Sequence, residues 1–477
     1  MADDLFDPRL TEHGNPRTRD IDLADALGIV DLINAEDAGV SGAVLAERER
    51  LAEAIEIAVE CFKRGGRLIY VGAGTSGRLG VLDATECPPT FGTDPEMVQG
   101  IIAGGAAALT RSQEGAEDCV EDGVAAIDEA KVGPDDFVFG IATSSTTPYV
   151  RAALARAAER DARTGFLCCT EPGEEMRGLV DVCIVPLVGP EVIAGSTRMK
   201  AGTATKLVLN TLTTGAMIRL GKVYGNLMVD LQAWSEKLID RSARIMMAAT
   251  GCSREEALPC IDEAGGSLKL AVVMKGAAVN RGMASLYLAE SDGFVRRALE
   301  LARAVDDSDD PYRHYPIAPP DEASMELVRS ALLGLLDSLS EIVSDLSDER
   351  LRERPEAKKW CVKEQIEHLR VADHFFIGRI TAILNEDEPL IADRDDEVEN
   401  RKISDSGARD AAIGELIGKF AESRTALSGS MEGAATERWS RVGRHEVFGP
   451  ISIYQLLRHC IWHDHRHLEA IRRLVSD

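Results

Sequence analysis

The stretch Arg67-Leu-Ile-Tyr-Val-Gly-Ala-Gly-Thr-Ser-Gly-Arg-Leu-Gly80 indicates the fold class of the first part of this chain. A short apolar run ends in a glycine-rich turn, and a helical pattern follows the turn. Four more β-rich runs, separated by helical patterns, come later in the chain: residues 97–103, 137–142, 165–169 and 182–187. This alternation predicts an α/β fold, a doubly wound parallel sheet flanked by helices.

The rest of the chain has a different organisation. Acidic residues and prolines fill residues 306–321 without apolar periodicity, which is typical of an extended linker. Apolar residues at helical spacing then recur in four segments: 325–346, 362–384, 411–427 and 453–475. The sequence therefore predicts an α/β domain at 1–303, an acidic, proline-rich linker at 304–325 and an all-α four-helix bundle at 326–477.

The charge and cysteine content exclude several function classes. A formal net charge of −26 over 477 residues argues against nucleic acid and anionic membranes as partners, because both repel such a field. No apolar run approaches the ~20 residues of a membrane helix, and the polar N-terminus does not fit a signal peptide, so we expect a cytoplasmic protein. The ten cysteines form no C-x-x-C pair and are expected to be reduced, structural thiols.

Three turns rich in glycine and hydroxyl groups predict one phosphate-binding crevice. Backbone N–H groups and hydroxyls at such turns form compact anion sites, and loops at the carboxyl ends of parallel strands converge. Helix capping explains any one of these turns, but three together favour a sugar phosphate ligand. The candidate residues are Gly74, Thr75, Ser76 and Arg78 in the first turn, Ser144, Ser145 and Thr147 in the second, and Ser196, Thr197 and Lys200 in the third.

The first turn also contains the spacing G-x-G-x-x-G, which occurs in dinucleotide sites. Such a site needs an acidic residue at the end of the next strand to hold a ribose hydroxyl. The next predicted strand ends in Ile101-Ile-Ala-Gly-Gly105 instead. The sequence therefore argues against nicotinamide binding.

His13 is followed by no histidine until His314, so the acid–base groups of the α/β domain must be carboxylates, lysines, tyrosines or thiols. Two carboxylates are the candidates. Glu86 comes just before Pro88-Pro89, which predicts a helix end close to the first turn. Glu117 lies in Glu114-Gly-Ala-Glu-Asp118, a segment that an ordinary acidic helix start explains equally well.

Seven motifs together resemble the N-acetylmuramic acid 6-phosphate etherases, a family with the sugar isomerase (SIS) fold, over roughly residues 8–303. They are Gly74-Thr-Ser-Gly-Arg-Leu-Gly80, Thr85-Glu-Cys-Pro-Pro-Thr90, Glu114-Gly-Ala-Glu-Asp118, Thr147-Pro-Tyr-Val150, Gly195-Ser-Thr-Arg-Met-Lys-Ala-Gly-Thr203, Lys206-Leu-Val-Leu-Asn210 and Gly225-Asn-Leu-Met-Val-Asp230. The resemblance implies that Glu86 is the general acid and Glu117 the base. It also implies a sugar phosphate substrate, no cofactor, and a homodimer with the site near the subunit interface.

One motif departs from the family pattern. Etherases usually carry Ser-Gly-Arg-Thr-Pro-Tyr where this chain has Ser144-Ser-Thr-Thr-Pro-Tyr149, so Ser145 and Thr146 replace a glycine and an arginine. An arginine can bind phosphate or carboxylate with two parallel hydrogen bonds, which threonine does not reproduce. We therefore expect substrate affinity or identity to differ.

Two other functions remain open for the α/β domain. One is a non-catalytic sugar-phosphate-binding regulator of the glucokinase-regulator type, and the other is a sugar-phosphate isomerase. A regulator needs no pair of catalytic carboxylates, and an isomerase would leave the lactyl group attached. Glu86 and Glu117 together therefore favour the etherase.

The predicted last helix carries His459, His463 and His467 at four-residue steps. Such a row places imidazoles on one face, where two of them and a third from a neighbouring helix can hold one metal ion. His368 is the candidate third ligand. Histidines that are solvated or satisfied in the core explain the row as well.

Residues 360–368 and 463–468 resemble the DinB-like four-helix-bundle family, over roughly residues 326–477. The resemblance implies that His368, His463 and His467 bind a divalent metal such as zinc or nickel.

Overall fold

The computed structural model describes residues 10–231, 236–310, 312–356, 359–393 and 396–476. The chain divides into two compact units, Met1–Leu238 and Ile239–Asp477. Among the residues described, no helix is long and apolar enough to cross a membrane.

The first unit contains a five-stranded parallel sheet, as the sequence predicts. Its strands are β1 (Leu68–Gly72), β2 (Val98–Ile102), β3 (Phe137–Ile141), β4 (Arg163–Leu167) and β5 (Val182–Ile184). The order across the sheet is β2-β1-β3-β4-β5, with Leu68 of β1 paired to Val98 of β2 and to Phe137 of β3. All five carboxyl ends therefore lie at one edge.

Helices cover both faces of this sheet. They are α1 (Ala26–Asp37), α2 (Val40–Ala46), α3 (Arg48–Lys63), α4 (Gly74–Phe91), α5 (Val120–Glu129), α6 (Pro148–Glu159), α7 (Glu174–Leu179) and α8 (Lys200–Arg219), followed by a short hairpin of β6 (Val223–Tyr224) and β7 (Leu227–Met228). Because side chains alternate along a strand, Leu68 and Tyr70 pack against α3, α4 and α8, whereas Ile69 and Val71 pack against α5, α6 and α7. The confirmed fold class is thus α/β with two buried layers.

Helix α4 begins unusually close to the sheet. A Cβ on Gly77 would lie 2.6 Å from Ile102 Cγ1 and 2.7 Å from the Gly72 carbonyl oxygen. Only glycine allows this approach. The third glycine of the G-x-G-x-x-G spacing therefore serves packing between helix and strand.

The second unit contains a four-helix bundle preceded by five helices. The preceding helices are α9 (Glu236–Thr250), α10 (Arg254–Glu263), α11 (Leu268–Ala277), α12 (Arg281–Ala289) and α13 (Val295–Asp306). The bundle helices are α14 (Glu322–Val343), α16 (Val362–Asn385), α18 (Ile413–Gly429) and α20 (Ile453–Ser476), which confirms the predicted bundle. Their connections carry α15 (Asp348–Arg352), α17 (Asp396–Ser404), α19 (Thr436–Trp439) and a small sheet of β8 (Leu390–Ile391), β9 (Val442–His445) and β10 (Gly449–Ser452).

The acidic, proline-rich segment is packed, which differs from the extended linker that its composition indicates. The side chains of Tyr312 and Tyr315 are buried. Gln455 of α20 donates hydrogen bonds to both of their carbonyl oxygens, at 3.2 and 3.0 Å. Aromatic residues between the prolines thus anchor the segment on the bundle.

The compact units do not divide at residue 303, where the sequence families are expected to change. Helices α10 to α13 belong to the second unit, together with the bundle. Arg458 of α20 forms a fully buried ion pair with Glu290, which follows α12, and Tyr454 donates to the same carboxylate at 2.8 Å. The boundaries 1–303, 304–325 and 326–477 therefore remain a proposal, and they describe where sequence families change and not where the compact units divide.

Candidate active site and candidate metal centre

The first glycine-rich turn connects β1 to α4 at the carboxyl edge of the sheet. Gly74 has a φ of +53°, a conformation that favours glycine, and Ser76 is buried beneath it. Arg78 Nε donates to the Leu109 carbonyl oxygen at 3.2 Å. Arg78 thereby ties this turn to the segment that follows β2.

The third turn lies against the first. A Cβ on Gly202, in the first turn of α8, would be 3.7 Å from Thr75 Cγ2 and 3.7 Å from the Thr197 carbonyl oxygen. Ser196 and Thr197 are partly buried. The structure thus brings two of the three predicted turns together.

Lys200 does not offer its ammonium group to a ligand, contrary to the expectation of a phosphate contact. The group is buried, and its Nζ lies 2.7 Å from Glu36 Oε2. Glu36 also accepts from Arg17, and these hydrogen bonds lower the pKa of Glu36 to about 2. Lys200 therefore anchors the start of α8 to Glu36.

The N-terminus of α8 already has a carboxylate partner within the protein. The backbone N–H groups of Lys200 and Ala201 donate to the two oxygens of the buried Glu191, at 3.0 and 2.9 Å. This carboxylate satisfies two of the free N–H groups with which a helix begins. These two N–H groups are therefore already paired within the protein.

The second turn follows β3, and one of its residues has a backbone conformation typical of glycine although it is a serine. Ser145 has a φ of +63°, and its N–H donates to the Ala142 carbonyl oxygen at 2.8 Å. The hydroxyls of Ser144 and Thr146 are 3.2 Å apart, and Thr147 precedes Pro148 at the start of α6. The unusual φ explains why the family pattern has glycine at this position.

Glu86 lies farther from the first turn than the sequence predicts. Helix α4 does not stop before Pro88 and Pro89 but continues to Phe91, and Gly92 ends it in the left-handed conformation. Neither proline has a backbone N–H to donate to the carbonyl four residues earlier, yet the helix continues through both. At 1.5 Å per residue, the exposed Glu86 is about 18 Å along the helix axis from Gly74.

Glu117 lies at the carboxyl edge of the sheet. It belongs to a short 3₁₀ helix, Ala116–Asp118, and its side chain is exposed. A Cβ on Gly104, just after β2, would be 2.9 Å from Gln113 Cβ and 3.3 Å from Ala116 Cβ. The Glu117 segment therefore folds back onto the end of β2, whereas Glu86 of the same chain is about three turns down α4.

Asp83 is a buried polar residue that the sequence analysis missed. Its carboxylate accepts hydrogen bonds from the Tyr70 hydroxyl at 2.9 Å, Asn210 Nδ2 at 2.6 Å and the Thr213 hydroxyl at 3.2 Å. Burial raises the pKa of Asp83, and these donors oppose the rise. Asp83 lies three residues after Gly80 and four before Cys87, which both face the core, so helical spacing could have predicted its burial.

In the second unit, the structure brings the three predicted histidines together. One ring nitrogen of each of His368, His463 and His467 lies within 4.8 Å of the other two. The Nε2 atoms of His368 and His463 are 3.0 Å apart. Three neutral imidazoles at this spacing suit a divalent ion with open coordination positions.

Neighbouring side chains orient these rings, which supports the fit. Gln365 Oε1 lies 2.5 Å from His467 Nδ1, leaving Nε2 of that ring to face the cluster. The Trp360 ring packs 4.7 Å from the His368 ring. Asp464 follows His463 in the chain and pairs with the fully buried Arg424.

The remaining histidines of α20 have other surroundings. His459 packs 4.9 Å from the Tyr312 ring, and burial lowers its pKa to about 3. His465 Nε2 lies 3.1 Å from the Ala278 carbonyl oxygen. A cavity of about 500 Å³ opens beside the three-histidine cluster, and its aromatic lining comprises Tyr312, Trp360, Phe375, Phe376, Phe448 and Trp462.

Comparisons with known proteins divide the chain into two families. Residues 50–158 match the glucokinase regulatory protein N-terminal SIS domain, and residues 324–471 match the DinB superfamily. The N-acetylmuramic acid 6-phosphate etherase of Crocosphaera subtropica is 50% identical over 294 residues, which cover 62% of this chain and 96% of that protein. The etherase of Salinibacter ruber is 53% identical over 300 residues, covering 63% and 96%.

One similar solved structure is that of YfiT from Bacillus subtilis, described as a probable metal-dependent hydrolase with an unusual four-helix bundle topology. The match covers 33% of this chain and 88% of that chain, at 18% identity and a TM-score of 0.30. The two etherases are matched over nearly their whole length. This chain therefore belongs to the N-acetylmuramic acid 6-phosphate etherase family, and its etherase region is followed by a segment that matches the DinB superfamily.

Proposed function

We propose that this chain is a carbon–oxygen lyase that cleaves the C3 lactyl ether of N-acetylmuramic acid 6-phosphate. The observation that carries the proposal is its identity of about 50% to etherases over 96% of their length. The products are N-acetylglucosamine 6-phosphate and D-lactate. The reaction belongs to amino sugar metabolism and peptidoglycan recycling.

The proposed chemistry uses two carboxyl groups and no metal or cofactor. In the ring-opened substrate, Glu117 removes the C2 proton, which is acidic because it lies next to the aldehyde. A C2–C3 double bond forms as the C3–O bond breaks, and Glu86 protonates the departing lactyl oxygen. Water then adds across the double bond, with its oxygen at C3 and a proton at C2.

The three turns at the carboxyl edge are the proposed phosphosugar site. The closeness of the first turn to the start of α8, where Gly202 lies beside Thr75, supports one site built from hydroxyls and backbone N–H groups of both turns. The second turn adds Ser144, Ser145 and Thr147. We assign Lys200 the role of holding the third turn in place through Glu36, because its ammonium group is buried.

We propose that two copies of the chain complete each site. Glu117 lies at the carboxyl edge, whereas Glu86 of the same chain lies about 18 Å along α4 from the first turn. A second copy can supply the missing carboxyl group. Helix α1 also supports a homodimer, because its Leu27 and Val30 are 69% and 60% exposed, which an interface would cover.

Release of D-lactate from N-acetylmuramic acid 6-phosphate by the purified chain tests the activity. Lactate formation at a rate that saturates with substrate is the expected result. Tight binding of the substrate without lactate would instead identify a sugar-phosphate-binding regulator. An aldose–ketose conversion that retains the lactyl group would identify an isomerase.

We also propose that His368, His463 and His467 hold a divalent metal ion such as zinc or nickel. Their spacing, the Gln365 contact and the adjoining cavity support this site. A bound ion would supply an open coordination position for a ligand in the cavity. This centre is separate from the two-carboxylate chemistry.

Metal analysis of the purified full chain tests the second proposal. We expect about one ion per chain, and its loss when His463 and His467 are both replaced by alanine. His374→Ala, which changes an exposed histidine of α16, is the matched control and should retain the ion. Absence of metal after reconstitution with zinc or nickel would contradict the site.

A further inference from the structure

Asp83 is a buried carboxylate that links three elements of the first unit. It is 5% exposed on the inner face of α4. Tyr70 of β1 donates to one of its oxygens, while Asn210 and Thr213 of α8 donate to the other. The Tyr70 and Asn210 distances are those of strong hydrogen bonds, whereas the Thr213 hydroxyl shares its one proton between Asp83 and the Leu209 carbonyl oxygen, at 3.2 and 3.1 Å. One carboxylate thus joins a strand and two helices.

A carboxylate at this position fixes geometry that apolar packing would leave less defined. A buried ionised group carries a desolvation penalty, and apolar side chains of similar volume commonly serve a core as well. Hydrogen bonds differ from apolar packing in being directional. The bonds from Tyr70 of β1 and Asn210 of α8 restrict both the rotation of α4 about its axis and its position along β1.

Glu86 is three positions after Asp83 on the same helix. Residues three apart on a helix are neighbours, with Cβ atoms about 5–6 Å apart. A rotation or shift of α4 at Asp83 therefore moves the exposed Glu86 carboxyl group by a similar amount. Asn210 also accepts a hydrogen bond from Lys206, so the same network reaches the exposed surface of α8.

We propose that Asp83 is a positioning residue for Glu86 in the step in which the lactyl group departs. The inference rests on the proposed etherase function. Proton donation to the departing oxygen requires correct placement, and a displacement of about 1 Å can cost on the order of a hundredfold in rate. Glu117 lies on a different element, the 3₁₀ helix after β2, so proton removal at C2 does not depend on Asp83.

The test measures the two steps separately in Asp83→Asn. Release of D-lactate reports the Glu86 step, and exchange of the C2 proton with solvent deuterium reports the Glu117 step. We expect lactate release to fall at least tenfold while exchange stays within about threefold. A structural defect alone would lower both rates together through loss of folded enzyme.

Asp136→Asn is the matched control. Asp136 is also 5% exposed, and its carboxylate binds Arg67 just before β3. This change should lower the melting temperature without altering the ratio of exchange to lactate release. If Asp83→Asn does not fold, Tyr70→Phe and Thr213→Val replace it in the test. Each removes one donor to Asp83 and should lower lactate release relative to proton exchange.

A double-mutant cycle with Glu86→Gln decides whether the two residues act together. In the Glu86→Gln background, Asp83→Asn should reduce lactate release by less than twofold. Fully additive losses, a parallel loss of exchange and release, or no loss in any of the variants would overturn the inference. A wild-type chain that releases no lactate would instead overturn the proposed function.

Discussion

At the scale of single residues, Ser145 shows how the chain departs from its family. A serine at a φ of +63° raises the free energy of the folded chain by about 1–2 kcal/mol. Glycine removes this strain, but its greater freedom in the unfolded chain offsets part of the stabilisation. Ser145→Gly should therefore raise the free energy of unfolding by roughly 0.5–1 kcal/mol, measured by urea denaturation. Ser144→Gly, at a residue without positive φ, should lower it, and equal effects of both changes would refute the strain at Ser145.

Glu36 provides a second prediction at this scale, because Arg17 and Lys200 lower its folded pKa from 4.5 to about 2. A depressed pKa stabilises the folded chain above pH 4.5, and this contribution disappears as the pH falls toward 2. The difference in unfolding free energy between wild type and Glu36→Gln should thus be larger at pH 6 than at pH 3. Glu53→Gln, in an exposed ion pair with Arg50, should give a difference below about 1 kcal/mol, and a pH-independent Glu36 difference would contradict the assignment.

At the scale of elements, a buried ion pair links α20 to the residue that follows α12. Arg458 and Glu290 are both almost fully buried, so Arg458→Ala leaves a carboxylate without its partner guanidinium. We expect a loss of about 3–5 kcal/mol in the unfolding free energy of the second unit. Arg472→Ala, in a partly exposed pair with Glu469 on the same helix, should cost less than about 1 kcal/mol, and a similar loss in both variants would be inconsistent with the role of Arg458.

The sequence predicts these elements better than it predicts their contacts. Strand and bundle-helix positions follow from local periodicity. Four-residue spacing on α20 predicts a row of histidines, and the resemblance to the DinB-like family selects His463 and His467 with His368. Burial of Lys200 could not be predicted, because Glu36 is 164 positions away in the chain. Local rules also misplaced the end of α4, because proline usually ends a helix but α4 continues through Pro88 and Pro89 to Phe91.

At the scale of the whole molecule, the proposed dimer predicts complementation between two inactive variants. If Glu86 and Glu117 of one site come from different chains, a heterodimer of Glu86→Gln and Glu117→Gln has one intact site. Random mixing of the two variants, by unfolding and refolding together, should restore about a quarter of the wild-type lactate release. Each variant refolded alone is the control, and a mixture as inactive as the controls would show that both carboxylates come from one chain.

The central claim is elimination of lactate followed by addition of water, and the reaction in D₂O followed by NMR tests it most directly. With N-acetylmuramic acid 6-phosphate, the full chain should yield D-lactate without carbon-bound deuterium and N-acetylglucosamine 6-phosphate with deuterium at C2. Glu117→Gln should yield neither product. Lactate release with the C2 proton retained, or a product that keeps its lactyl group, would contradict the proposed mechanism.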